Sequence, residues 1–92
     1  MSYRIIYTHS YNRRAARFIR KHPELLSQYE KTLKLLAINP FHPSLRLHRL
    51  QGPLSELYSV SINITYRITL ELIIREQEII PVHVGSHDEV YR

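Results

Sequence analysis

Two spacings of apolar residues divide this sequence. From Tyr3 to Thr8 aromatic and β-branched residues cluster, which predicts a first strand. Ser10 then offers a side-chain oxygen for a helix N-cap. Between Tyr11 and Lys21 the apolar positions Tyr11, Ala15, Phe18 and Ile19 fall on one helical stripe, opposite Arg13, Arg14, Arg17 and Arg20. Pro23 suits the first turn of a second helix, where its missing N–H costs nothing. That helix carries the stripe Leu25, Leu26, Tyr29, Leu33, Leu36 and Ala37, and Asn39-Pro40 and Pro43 end it. The short link at His22-Pro23 makes the two an antiparallel helical hairpin.

Beyond the hairpin the period changes to two. Leu45 to Leu50 alternates apolar with basic, and Gln51-Gly52-Pro53 is a turn. Leu57 to Ile64 alternates again, with Tyr58, Val60, Ile62 and Ile64 on one side and Ser59, Ser61 and Asn63 on the other. Tyr66 to Ile74 reads as a long strand, Glu76-Gln77 turns it into Ile79 to Val84, and Gly85 breaks the run. The order predicts a single α+β two-layer domain over residues 1–92: an N-terminal strand, the helical hairpin, then a three-stranded antiparallel meander. The first strand pairs inside or beside the meander, both helices cover one face, and the opposite face is open.

Composition adds a partner to this outline. The 92 residues carry 13 Lys and Arg against 8 Asp and Glu, a formal charge of +5, which is the footprint of a polyanion binder. The absence of Cys excludes disulfides, thiolate metal ligands and a thiol nucleophile, and permits a reducing cytosol. No stretch has the apolar core of a signal peptide or the length of a membrane span, so a cytoplasmic location with no membrane partner is expected.

The chemistry-bearing residues concentrate in the last half of the chain. Arg67 sits inside the apolar run, pointing away from Tyr66 and Ile68 towards the side of Thr69 and Glu71. It is an edge charge, a snorkelling side chain, a partner of Glu71 or a phosphate clamp. His87 and Tyr91, four apart, share a side whether the tail is extended or helical. Arg46 and His48, two apart, share a face of their segment. His83 has the parity of Gly85 and reads as core. The six histidines form no metal-ligand spacing with carboxylates, so neither metal nor cofactor is expected. There is no Gly-rich phosphate loop and no nucleophile elbow.

The motifs HRLQG, SVSINITYRI and VGSHDEVYR, in that order in a basic chain of this length, resemble the RelE/ParE superfamily of toxin–antitoxin toxins. The resemblance covers essentially the whole chain. RelE-like members are endoribonucleases that cut mRNA, usually on the ribosome, whereas ParE-like members inhibit DNA gyrase and are not nucleases. On the RelE branch, Arg67 matches the strand arginine that holds the scissile phosphate, Tyr91 the terminal aromatic, His87 a general acid or base, and His48 a second histidine of some members. Arg46, Arg13, Arg14 and Arg17 would then bind RNA phosphates. Where some members carry lysines this chain has Ser59, Ser61 and Asn63, and Ser44 stands where one subgroup has a carboxylate base, so histidines must move the protons. The resemblance also implies a cognate acidic antitoxin, in a heterotetramer as one arrangement. Besides the nuclease it leaves open a gyrase inhibitor, or a non-toxic homologue that only binds antitoxin.

Overall fold

The computed structural model describes residues 2–86. In chain order the elements are β1 (Arg4–Ile5), α1 (His9–Lys21), α2 (Leu26–Ile38), β2 (His48–Arg49), β3 (Tyr58–Ser61), β4 (Tyr66–Ile73) and β5 (Glu78–Ser86). The five strands form one mixed sheet in the order β1-β5-β4-β3-β2. The expected meander is present as β3, β4 and β5, widened at its edge by the two-residue β2. β1 lies beside the meander, parallel to β5.

Several boundaries move for identifiable reasons. Thr8, not Ser10, caps α1: its Oγ1 accepts the Tyr11 N–H at 3.1 Å, which cuts the first strand back to Arg4–Ile5. Pro23–Leu25 forms a separate 3₁₀ turn with Pro at its first position, and α2 follows directly. The buried row of α2 is Tyr29, Thr32 and Leu36, continued from Leu25, while Leu26 is exposed. Leu45 is buried but belongs to a second 3₁₀ turn, Pro43–Leu45, so the alternation from Leu45 marks only His48–Arg49 as strand. β3 stops at Ser61 because Asn63 Oδ1 accepts from Thr65 N and Tyr66 N, folding the turn and leaving Ile64 at its tip. Gly85 does not end β5; it pairs with Arg67 inside the sheet.

One core fills the space between helices and sheet: Tyr11, Phe18, Leu25, Tyr29 and Leu36 against Val60, Ile68, Leu70, Ile79 and Val84. Its polar contact is the Tyr11 hydroxyl against the Tyr29 hydroxyl at 2.7 Å, tying α1 to α2. Cross-strand partners in an antiparallel ladder share a face. The register Val60–Ile68–Val84 therefore belongs to the core, and the registers Ser59–Thr69–His83 and Ser61–Arg67–Gly85 to the second face. That face is not uniformly open. Ser59 and Thr69 are buried, while Ser61, Arg67 and His83 around them are half-buried and His48 is exposed.

The pairing of β4 with β5 shifts between Thr69 and Leu70: Thr69 faces His83 but Leu70 faces Pro81, so Val82 is the extra residue of a bulge. Pro81 has no N–H to give a central strand, and a bulge is where a proline is tolerated there. The Val82 carbonyl accepts the Arg14 guanidinium of α1 at 3.0 Å. The extra residue also changes which side chains face the core. Val84 is buried in it, and His83 keeps the parity of Gly85 but lies with it on the second face, beside Thr69, not in the core as expected from the sequence.

Burial pushes the Tyr11 phenol well above its ordinary value, helped by Tyr29, and burial raises Tyr29 as well. The unfolded chain releases phenolic protons near pH 10 while the folded protein keeps them, so stability present below about pH 10 falls as pH rises past it. Tyr11→Phe is expected to lower stability at pH 7 by about 1–2 kcal/mol, because the Tyr29 hydroxyl loses its partner. The variant should also lose less stability than the parent between pH 9 and pH 11. Urea unfolding at both pH values checks this, and an unchanged alkaline slope contradicts it.

Candidate functional site

Strand β4 positions Arg67. Its neighbours Tyr66 and Ile68 turn to the core side, so Arg67 projects from the second face between Ser61 on β3 and Gly85 on β5. Its Nη1 donates to Ser61 Oγ at 3.2 Å. Its Nε is buried and, among the described residues, has no hydrogen-bond partner. The ion pairs among the described residues are Arg4–Glu78 and His22–Glu24, so the alternative of a bond to Glu71 is not realised. Ser59 Oγ and Thr69 Oγ1, in the adjoining register, are likewise buried with no partner among the described residues. A half-buried guanidinium with unspent donors is the electrostatic signature of a place for an anion.

Arg46 reaches the same place from another direction. The 3₁₀ turn Pro43–Leu45 delivers it in the left-handed region, at φ 51° and ψ 45°, where a non-glycine residue is strained. Together Ser44, Arg46, Ser61, Asn63 and Arg67 line a cavity of about 220 Å³ whose apolar wall is Ile62 and Ile64. Two guanidiniums on one small cavity repel each other; an anion between them removes the repulsion and uses their donors.

His48 stands in register with Ser59, on the same face. Arg46 is outside the strand, so strand alternation does not place the pair on one face. They are linked instead through the backbone: His48 Nδ1 lies 3.1 Å from the Arg46 carbonyl. A carbonyl only accepts, so this contact calls for a proton on Nδ1. The register His48–Ser59–Thr69–His83 thus carries a histidine at either end, three strand spacings or about 14 Å apart. His83 is the site-face residue that sequence reasoning assigned to the core. Pro81 in an otherwise central strand was the signal of the bulge that moved it.

The first-helix arginines divide. Both Arg13 and Arg14 are exposed, but Arg14 is tied through one nitrogen to the Val82 carbonyl. Arg14, Arg17, Lys21, His22 and His83 line a second cavity of about 250 Å³ along β5, where the short β1 leaves that strand uncovered. The structure therefore brings Arg67 and Arg46 together, with His48 on the same face, and sets the α1 cations along β5. His87 and Tyr91 lie outside the described residues. Among the described residues no three His, Asp or Glu side chains gather at metal-binding distance, and no helix is long and apolar enough to cross a membrane.

No family model and no curated relative matches the sequence. Solved structures do. The E. coli DinJ–YafQ toxin–antitoxin complex contains a chain that superposes with a TM-score of 0.76 at 15% identity, over 100% of both chains. The YoeB/ParE toxin from Agrobacterium tumefaciens gives 0.70 at 15% identity, over 91% of this chain and 98% of that one. The RelBE2 toxin–antitoxin complex from Mycobacterium tuberculosis gives 0.62 at 16%, over 95% and 100%. At these identities the likeness establishes the fold: this chain has the α+β architecture of the RelE/ParE toxins.

The unspent donors of Arg67 have a consequence for stability. Removing a partly desolvated cation whose Nε has no partner among the described residues relieves a cost that the bond to Ser61 only partly offsets. Arg67→Met is expected to leave the urea midpoint unchanged or raise stability by up to about 1 kcal/mol. A loss of more than about 1 kcal/mol would show that the arginine serves the fold.

Proposed function

We propose that this chain, which shares its fold with the RelE/ParE toxins, is a toxin of a type II toxin–antitoxin system that cleaves mRNA without a metal ion, on the ribosome. The observation that carries the reading is Arg67: a half-buried guanidinium on the second face of the sheet, its Nε unpartnered among the described residues, with Arg46 on the same cavity. RNA supplies its own nucleophile, the 2′-hydroxyl. The enzyme has to take that proton, protonate the departing 5′-oxygen, and hold the charge that builds on phosphorus. Arginine suits the last task because its planar fork is permanently ionised. Histidine suits the proton steps because its ordinary pKa lies near neutrality.

On this reading Arg67 clamps the scissile phosphate and Arg46 shares its charge. His48 and His87 move protons, and Tyr91 stacks on a base; the roles of His87 and Tyr91 rest on the sequence motif. Arg13 and Arg17 bind neighbouring RNA phosphates. Arg14 contributes through the charge it leaves on the same surface, since one of its nitrogens holds the bulge. A cognate antitoxin of acidic character fits the +5 charge, folding as it wraps the basic surface. The partner complex is proposed as a heterotetramer in the cytoplasm.

Expression of the toxin followed by mapping of RNA 5′ ends tests the reading. It predicts new mRNA ends bearing 5′-hydroxyls, cleavage that persists in EDTA, and no cut where the scissile nucleotide is 2′-deoxy. Growth arrest with intact mRNA and DNA damage would overturn it in favour of a gyrase-directed toxin. No arrest at all would leave only antitoxin binding.

A further inference from the structure

The connection between α2 and β2 holds a pair of side chains that the reading above does not use. His42 is the N-cap of the Pro43–Leu45 turn, and its Nδ1 accepts the Ser44 backbone N–H at 3.2 Å. The same nitrogen lies 2.8 Å from Ser44 Oγ. A backbone N–H can only donate, so Nδ1 bears no proton and the neutral ring carries its hydrogen on Nε2. The Ser44 hydroxyl must then donate to Nδ1, which leaves its oxygen as an acceptor. Ser44 also lines the cavity of Arg46 and Arg67. Pro43 between the two fixes the local backbone, and both side chains are solvent-accessible.

We infer that His42 and Ser44 form a proton relay serving the cavity between Arg46 and Arg67, with an RNA 2′-hydroxyl as the donor. The inference rests on the proposed ribonuclease function. Capping the turn accounts for the bond from the backbone N–H. It does not require the shorter bond to the hydroxyl of a residue that also lines the cavity of Arg46 and Arg67. In the step, the 2′-O–H proton passes to Ser44 Oγ as the Ser44 proton passes to His42 Nδ1. The 2′-oxygen bonds to phosphorus and the bond from phosphorus to the 5′-oxygen breaks. An imidazolium of His48 protonates the leaving oxygen, giving a 2′,3′-cyclic phosphate and a 5′-hydroxyl. The imidazolium formed at His42 returns its proton to water. Ser44 is the catalytic residue of this pair. His42 acts through it and is a positioning and proton-accepting residue.

His42→Asn separates the two roles, since Asn keeps an oxygen for capping but takes up no proton. His42→Asn and Ser44→Ala are expected to slow single-turnover cleavage of an oligoribonucleotide by at least about tenfold. Affinity for the same strand carrying 2′-deoxyribose at the scissile position should stay within about twofold, as neither change removes a phosphate contact. Ser44→Thr, which retains the hydroxyl, restores most of the rate. Nitrogen-15 NMR of the parent, at a pH where the rings are neutral, should show the Nε2–H tautomer at His42 and the Nδ1–H tautomer at His48. An Nδ1–H tautomer at His42, or His42→Asn cleaving as fast as the parent while Arg67→Ala does not cleave, overturns the relay and leaves the nuclease standing. A parent that cleaves no RNA overturns the function and the relay with it.

Discussion

Strand β4 has to serve two faces at once, and everything chemical in this protein follows from how it does so. Ile68 and Leu70 are buried in the core with no exposure, and strict alternation then sends Arg67 and Thr69 to the other side. The core holds β4 in place and so fixes the point from which Arg67 projects, while the bond to Ser61 Oγ directs its guanidinium. A rigid strand carrying a partly desolvated cation is a form of preorganisation: the charge is set before any ligand arrives. Its desolvation is a cost to the fold, which is the usual sign of a residue kept for binding rather than for stability.

The bulge at Val82 adjusts the neighbouring strand to the same purpose. With Pro81 in a central position the ladder lacks one donor, and Arg14 of α1 takes up the displaced Val82 carbonyl. The extra residue turns Val84 inward and His83 outward, so one irregularity both completes the core and adds an imidazole to the second face beside Thr69. The α1 cations lie along the part of β5 that β1 is too short to cover. Basic charge therefore runs from α1 past β5 to the second face of the sheet.

What could be read in advance divides along the same line. The helices, the strand from Tyr66 and the direction of Arg67 follow from period alone, because each is long enough for burial to enforce one pattern. Thr8 and Ser10 are both competent caps, and only the start of the chain's turn into α1 decides between them. His83 was misplaced because alternation assumes an unbroken ladder, and a bulge is a property of two strands together. The closeness of Arg46 to Arg67 was invisible because a left-handed residue after a 3₁₀ turn, φ 51°, obeys neither period. The same turn sets His42 against Ser44 and the Arg46 carbonyl against His48, so two imidazoles a few residues apart meet partners of opposite kind, a backbone N–H and a carbonyl.

The central claim is that the guanidinium on the second face of β4 holds a phosphodiester as it is cut. Single-turnover cleavage of an oligoribonucleotide by Arg67→Ala, beside Arg67→Lys, tests it most directly. The account predicts a loss of about 10²–10³-fold for alanine, the cost of one preorganised donor, with lysine recovering only part because it lacks the fork. Alanine cleaving at the parent rate would contradict it.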